Sequence, residues 1–225
     1  MKMPTLFQSL LLSPIAAACL GLAGCSVLQP KADLTRFYVL RGPAPASAAS
    51  TTPDSAPAKS SFVRIGPGSL AAYLEATPIA LDSGRNEITY LDASHWAEPL
   101  SKGIRRVLGQ NLCANLNLEQ VVLYPNPVSA SAWCDVRYAV NRFEGALGGT
   151  VTLDVAWQLV QMPAARQIHA THSIYTAPHT GSASDVGTYV NQLSDAIRQW
   201  SDDVAKAVRA MPASSSSTPE EATVR

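Results

Sequence analysis

The sequence predicts an α+β fold: a mostly antiparallel sheet with two helices packed on one face. Two stretches, near residues 99–116 and 184–208, repeat apolar residues at helical spacing along one side only. Three others, near residues 133–143, 151–161 and 166–176, alternate apolar and polar residues, as half-buried strands do. A helix with one apolar side buries that side against another layer, so two helices on one sheet satisfy all five patterns.

The composition is that of a globular chain with one core. Of 225 residues, 47% are apolar and 15% are charged, and the formal net charge is zero. Removing the first 24 residues leaves 16 basic against 17 acidic residues. Nucleic-acid binding needs a clustered basic surface, and this balance provides none. We therefore expect no nucleic-acid partner.

Residues 1–24 have the features of a signal peptide. Lys2 supplies the positive start, and the apolar run over residues 6–22 is shorter and more interrupted than a membrane span of about 20 apolar residues. The run ends in Leu-Ala-Gly-Cys, which matches the bacterial lipoprotein cleavage pattern at all four positions. We predict cleavage before Cys25 and lipid attachment to its sulfur. The alternative is an ordinary secretory signal followed by a chance cysteine.

The lipid would place the chain at a membrane surface, because two or more acyl chains anchor a protein stably. Ser26 follows the predicted lipidated cysteine, where an Asp commonly retains lipoproteins at the inner membrane. An outer-membrane anchor facing the periplasm is therefore expected. Residues 25–34 would form the tether, residues 35–210 a single domain, and residues 211–225 a disordered tail.

Export also determines which cysteines remain in the mature chain and whether they are exposed to an oxidising compartment. Cys19 leaves with the signal and Cys25 is acylated, so Cys113 and Cys134 remain. Two cysteines in an oxidising compartment are expected to pair, which would stabilise the fold by roughly 3 kcal/mol. The alternative is two separate buried thiols that behave as small apolar residues.

The domain begins with two strands separated by an insertion. Residues 35–41 (TRFYVLR) are rich in aromatic and β-branched residues and predict the first strand. Residues 42–61 are almost exclusively Pro, Ala, Ser and Thr, which predicts a flexible insertion. Residues 62–65 predict a second strand, and Gly66-Pro67-Gly68 predicts a turn that ends it.

A hairpin and the first helix follow. Residues 78–81 and 87–91 predict two strands, joined by a turn that contains Asp82-Ser83-Gly84 and Asn86. Pro99 is tolerated in the first turn of the helix after them. The apolar residues of that helix are Leu100, Ile104, Val107, Leu108, Leu112 and Leu116.

After a short strand over residues 121–124, three long strands predict an antiparallel meander. The apolar side of the last strand is predicted to hold Ile168, Ala170 and Ile174. The second helix starts at Ser184-Asp185. Its apolar stripe consists of Val186, Tyr189, Val190, Leu193, Ile197, Trp200, Val204 and Val208. On its exposed side, Asp202 and Lys206 are spaced for an i,i+4 ion pair.

No pattern in the chain points to catalysis, a metal or a cofactor. His169 and His172 lie three apart on a predicted strand, so they face opposite ways and cannot share one ion. A Gly-x-Ser-x-Gly turn, a phosphate-binding loop and a His-Glu-x-x-His pair are all missing from the sequence. We expect no enzyme, although a periplasmic hydrolase assembled from distant residues is a third alternative.

Three residues are candidates for contact with a partner or a lipid. Tyr73 and Leu74 lie in an apolar loop after the second strand, and Trp96 lies just before the first helix. Such residues more often plug the sheet edge and the core. The alternative is an exposed apolar patch where a partner or a lipid docks.

Three segments and the lipoprotein motif together resemble one known family. The segments are FYVL (residues 37–40), VRIGPGSLAAYLEATPIAL (63–81) and NEITYLDASHWAEPLSKGIRRVLGQNL (86–112). They resemble the PqiC-like (YmbA-like) family of lipoproteins, which are classed as ABC-type transport auxiliary components. The segment WAEPL, residues 96–100, is the most specific match. Where this chain has Glu75-Ala76-Thr77-Pro78, the family usually has a more basic and polar run.

The resemblance implies a compact α+β domain and a role in envelope lipid transport. Members of the family look like outer-membrane lipoproteins working with MCE-domain proteins, which carry phospholipid-like molecules between the two membranes. The resemblance transfers no catalytic residue, and only Cys25, as the lipid attachment site, carries over. The chain is expected to act as an auxiliary lipoprotein that tethers and docks the transport complex. Assembly into a homo-oligomer is a further possibility. The alternative is a periplasmic lipid- or amphiphile-binding carrier.

Overall fold

The computed structural model describes residues 33–43, 62–118, 120–130 and 133–211. The predicted signal peptide, Cys25, most of the insertion and the C-terminal tail lie outside these residues. Within them, none of the helices has the length and apolar character that crossing a membrane requires.

The described chain folds into strands, two long helices and one short 3-10 helix. In order they are β1 (Arg36–Tyr38), β2 (Phe62–Leu70), the 3-10 helix (Ala72–Glu75), β3 (Pro78–Asp82), β4 (Ile88–Trp96), α1 (Leu100–Leu116), β5 (Val122–Leu123), β6 (Trp133–Gly145), β7 (Val151–Met162), β8 (Arg166–Ala177) and α2 (Val186–Arg209). The predicted order of strands and helices is therefore confirmed.

The strands form two sheets, with orders β1-β4-β3 and β5-β2-β6-β7-β8. The α+β class is confirmed, and the meander β6-β7-β8 is antiparallel as predicted. The expectation of one mostly antiparallel sheet needs correction, because β1 runs parallel to β4 and β2 runs parallel to both β5 and β6. A long connection through β3, β4 and α1 separates β2 from β6, and such crossovers permit parallel pairing.

The predicted turn at Gly66-Pro67-Gly68 is wrong, because β2 continues through it to Leu70. The register between β2 and β6 shifts between Ile65 and Gly68, which marks an irregularity of the β-bulge type. A Cβ atom at Gly68 would overlap the ring of Tyr138 on the neighbouring strand. This glycine therefore serves close packing within a strand.

The hairpin and the start of α1 agree with the sequence analysis. β3 pairs with β4 in antiparallel fashion, and Gly84, Arg85 and Asn86 in the turn all have positive φ. Pro99 immediately precedes α1, and Asn117 ends the helix in the left-handed conformation with φ 52°.

The predicted apolar side of β8 is wrong. Ile174 is 61% exposed, whereas Tyr175 and Ala177 on the opposite side are buried. β8 ends the five-stranded sheet, and its two sides differ little in polarity, so alternation alone specifies its orientation weakly. The hydroxyl of Tyr175 donates to Asp203 of α2, which holds the aromatic side of the strand toward the helix.

Both helices pack on the same face of the five-stranded sheet. The predicted apolar stripe of α2 is confirmed, and its central members Tyr189, Ile197 and Trp200 have no exposed surface. Facing them are the inward side chains of β6 and β7, namely Cys134, Val136, Tyr138, Val140, Val151, Leu153, Val155, Trp157 and Leu159. Tyr138 meets Trp200 edge to face, with ring centroids 5.1 Å apart. The interior is therefore filled by side chains.

The predicted ion pair between Asp202 and Lys206 is wrong. Lys206 pairs instead with Asp203, at 2.8 Å. The Asp202 carboxylate accepts a hydrogen bond from Asn115 of α1, so it links the two helices.

One buried hydroxyl joins α2 to both sheets. The Tyr189 hydroxyl donates to the Ala80 carbonyl in β3 at 2.9 Å and accepts from the Gly145 N–H at the end of β6 at 3.0 Å. Both backbone groups would be left without this partner if the hydroxyl were removed.

A second polar contact joins β2 to β6 on the face without helices. The Arg64 guanidinium forms a bidentate pair with Asp135, at 2.7 and 2.8 Å, and Trp133 and Arg137 also donate to this carboxylate. Burial by itself raises the pKa of Asp135. The hydrogen bonds from Arg64, Trp133 and Arg137 outweigh that effect, so the pKa lies below its ordinary value.

We predict that Tyr189→Phe lowers the free energy of unfolding by about 1–3 kcal/mol, because it leaves a buried carbonyl and a buried N–H without their partner. The measurement is urea unfolding of the purified domain. Tyr124→Phe is the matched control, since the Tyr124 side chain is 43% exposed, and it should change stability by less than about 0.5 kcal/mol. An unchanged midpoint for Tyr189→Phe would contradict the assignment.

We predict that Asp135→Asn destabilises the domain by about 3 kcal/mol at pH 7, because it leaves the partly buried Arg64 without its counter-charge. The folded pKa of Asp135 lies below the unfolded value of about 3.9, so the ionic contribution is present above that pH and lost as pH falls through the folded pKa.

The deficit of Asp135→Asn should therefore shrink between urea titrations at pH 7 and at about pH 3. Asp195→Asn is the control, because Asp195 forms an exposed pair with Arg198 and should contribute less than about 1 kcal/mol. An equal deficit for Asp135→Asn at both pH values would argue against the proposed role of its charge.

Candidate functional site

A polar network lies where the two sheets meet. Its centre is Glu144 of β6, whose side chain is 1% exposed. One carboxylate oxygen accepts from the Tyr73 hydroxyl and the Phe143 N–H, both at 2.7 Å, and the other accepts from Arg142 at 2.9 Å. Arg142 also reaches Asp82 at the end of β3, at 3.1 Å. The network thus connects the 3-10 helix, β3 and β6.

The charges of this network are paired with one another. Burial, followed by the hydrogen bond to Glu144, raises the pKa of Tyr73, so its hydroxyl stays a protonated donor. The hydrogen bond to Glu144 likewise raises the pKa of Arg142. The arrangement holds the 3-10 helix against the sheet, and its acid and base groups are already engaged.

The network continues across the face without helices. Asp154 of β7, the register partner of Arg142, accepts from Asn141 at 2.9 Å and pairs with His172 of β8 at 2.7 Å. Burial raises the pKa of Asp154, but the hydrogen bonds from His172 and Asn141 lower it further than burial raises it. The His172 side chain is 54% exposed, so this imidazole is accessible to solvent beside the network.

Asp154 and His172 are arranged like the acid and the base of a catalytic triad, but no nucleophilic side chain among the described residues is bonded to them. In the described part of the chain, Asp154 is the hydrogen-bond partner of the His172 ring, and no serine or cysteine side chain bonds to that ring. His169 lies on the opposite face, stacked against Trp157, so the prediction that the two histidines face opposite ways is confirmed. Across the same described residues, no three His, Cys, Asp or Glu side chains gather as metal ligands.

The predicted contact residues lie inside the domain more than on its surface. Leu74 and Trp96 are 2% and 7% exposed and belong to the core, so neither forms an exposed patch. Tyr73 is half-buried and bonded to Glu144. The interpretation that these residues plug the sheet edge and the core describes the structure.

The segment that carries the most specific resemblance has a structural role. Glu98 accepts from Arg106 of α1 at 2.5 Å, and Arg106 also donates to the Leu40 carbonyl just after β1 at 3.0 Å. Glu98 thereby helps to hold the start of the domain against α1. Sequence reasoning missed this pair and the Glu144 network, because charged residues in strands and helices ordinarily indicate outward-facing positions.

Both thiols are free, which disagrees with the predicted disulfide. Cys134 is buried under the helices on β6, and its neighbours include the backbone of Val160 on β7. Cys113 is half-buried near the end of α1, beside the backbone of Val121. The two thiols thus contact different parts of the chain, Val160 for Cys134 and Val121 for Cys113. Burial raises the pKa of both thiols, that of Cys134 to about 12, so they behave as small apolar groups.

A groove of about 540 Å³ lies between the last turns of α2 and the strands β7 and β8. Its lining is mixed in character and consists of Trp157, Leu159, Ile168, His169, Thr171, Ser173, Asp203, Lys206, Ala207, Ala210 and Met211. It opens at the edge of the layer between sheet and helices, whereas the middle of that layer is filled.

Comparisons with solved structures support the fold. The crystal structure of an uncharacterized protein has a TM-score of 0.62 at 17% identity, covering 77% of this chain and 98% of that one. The crystal structure of protein XCC0632 from Xanthomonas campestris, of the family DUF330, has a TM-score of 0.57 at 15% identity, covering 76% and 92%. At such identities these likenesses show the fold alone. No curated protein matches the chain.

A family comparison supports the resemblance carried by the three segments. The model of the ABC-type transport auxiliary lipoprotein component matches residues 38–205, from the end of β1 to the last turns of α2. The match includes both sheets, the Glu144 network and the Glu98 contact. This chain therefore belongs to the family of ABC-type transport auxiliary lipoprotein components.

Proposed function

We propose that this chain is an outer-membrane lipoprotein serving as an auxiliary subunit of an MCE-type, ABC-linked lipid transport system between the two membranes. The observation that carries the proposal is the family match over residues 38–205. Lipid on Cys25 anchors the chain, and Ser26 favours the outer membrane over the inner. The domain docks the periplasmic MCE-domain protein of the complex.

The domain is better suited to binding a protein partner than to catalysing a reaction. Large side chains such as Trp200, Tyr189 and Phe143 are almost completely buried between the sheet and the helices, and they fill space that a substrate would need. The carboxylates of Glu144 and Asp135 are already engaged by hydrogen bonds from neighbouring side chains. A rigid, filled domain provides a stable surface for a protein partner.

A second candidate function is a carrier of lipid or another amphiphile. The groove between α2 and β8 favours it, because Trp157, Leu159 and Ile168 would cover an acyl chain while Lys206 lies within reach of a polar headgroup. A lipid that remains bound after purification without detergent, and is lost on Ile168→Glu, would support this alternative, because Ile168 lines the groove and is only partly buried.

The first test is a crosslinking pull-down of tagged full-length protein from intact envelopes. We expect recovery of an MCE-domain protein, and we expect Cys25→Ala to reduce it, because loss of the lipid lowers the effective concentration of the domain at the membrane. Cys19→Ala is the matched control, since it removes a signal-peptide cysteine outside the cleavage motif.

Equal recovery with both cysteine variants would contradict anchoring through Cys25. Recovery of no MCE-domain protein, together with a bound lipid detected by mass spectrometry, would favour the carrier instead.

The second test separates contact from catalysis. Deleting the gene should lower resistance to detergent, and we expect His172→Ala to restore resistance fully, because the domain acts without an acid or base. Removing a general base lowers a reaction rate by about 10²–10⁴-fold, so failure of His172→Ala to complement, at normal protein abundance, would indicate an enzyme. Cys25→Ala serves as the variant expected to fail.

A further inference from the structure

Exposed apolar side chains cluster at the start of the domain. Six large apolar residues of the described chain are at least 36% exposed, and two of them, Phe37 (65%) and Val39 (37%), lie only two positions apart. Single exposed apolar residues are ordinary, but a cluster indicates a contact surface.

The backbone fixes Phe37 in this exposed position. β1 lies at the edge of the three-stranded sheet, and Phe37 is the register partner of His95 on β4, with the two rings 6.0 Å apart and edge to face. Leu40 is 1% exposed, and the Arg41 N–H donates to the Ser194 hydroxyl of α2 at 3.2 Å. The segment is therefore tied into the fold on both sides of Val39.

We propose that Phe37 and Val39 contact the phospholipid surface of the membrane that holds the Cys25 lipid. The inference rests on the proposed lipidation of Cys25. Twelve positions separate Cys25 from Phe37, and a fully extended chain of that length spans at most about 43 Å. The tether thus keeps β1, the first element of the domain, close to the bilayer.

The chemistry of the segment fits a lipid headgroup layer. Protein segments that lie on a bilayer bury Phe, Trp and Leu side chains at the boundary between headgroups and acyl chains. Arg36 and Arg41 on either side of the pair are exposed, and guanidinium groups bind phosphate oxygens well. Because the lipid already holds the domain at the surface, a contact too weak to bind a free protein becomes populated. The domain would then adopt a preferred orientation on the membrane.

The test is site-specific photo-crosslinking of the full-length chain in intact cells. Benzoylphenylalanine replaces Phe37 in one strain and Ile174 in another. The two side chains are matched in exposure, at 65% and 61%, but Ile174 lies on β8. We expect phospholipid adducts at position 37 to exceed those at position 174 roughly tenfold, as the raised local concentration of lipid requires. Metabolic labelling with an alkyne fatty acid reports acylation of Cys25 in the same cells.

The outcomes are distinguishable. Acylated protein with no excess of lipid adducts at position 37, or with adducts to a protein at that position, overturns this inference and leaves the proposed function in place. Protein without acylation overturns the anchor of the proposed function, and this inference with it. Lipid adducts confined to position 37 of the acylated chain support both.

Discussion

The arrangement of this domain depends on covering the apolar side of α2. That helix is 24 residues long, and Tyr189, Ile197, Trp200 and Val204 on it have no exposed surface. The meander β6-β7-β8 supplies a matching apolar face, and α1 packs beside α2 over the neighbouring strands β2 and β5. Packing of this kind is cooperative, because a helix and a sheet that are each apolar on one side are stable only together. The small sheet adds to this unit through β3, which Tyr189 contacts directly.

On the other face of the large sheet, ion pairs and hydrogen bonds hold neighbouring elements together, whereas apolar packing holds them together beneath the helices. Asp135 joins β2 to β6, and Glu144 joins β6 to the 3-10 helix. A carboxylate without partners at either buried position would be strongly destabilising, so each contact also disfavours other strand registers. This specificity matters most for β2, because its parallel pairing follows a long connection that local turn chemistry does not direct.

Much of this fold follows from periodicity in the sequence, and the failures have physical reasons. The two helices and the strands β6 and β7 were predictable because each buries one side, which leaves a strong pattern. The side of β8 was not, because an edge strand with Ile174 on one face and Tyr175 on the other has no decisive alternation. The turn at residues 66–68 failed because glycine also serves close packing, here beneath Tyr138. The Glu144 network depends on contacts between distant segments, and no local pattern encodes those.

The contacts of β1 tie the start of the domain firmly to the rest of the fold, as an auxiliary subunit tethered in the way proposed above would require. β1 pairs with β4, and β4 pairs with β3. Arg106 of α1 holds the Leu40 carbonyl, with its guanidinium oriented by Glu98. A force applied to the start of the domain would therefore be shared between a sheet and a helix. A peripheral strand held only by backbone hydrogen bonds would open first. This gives a physical reason for Glu98 to lie in the segment that most clearly resembles the family: it stabilises the start of the domain, the part nearest in sequence to the proposed membrane anchor.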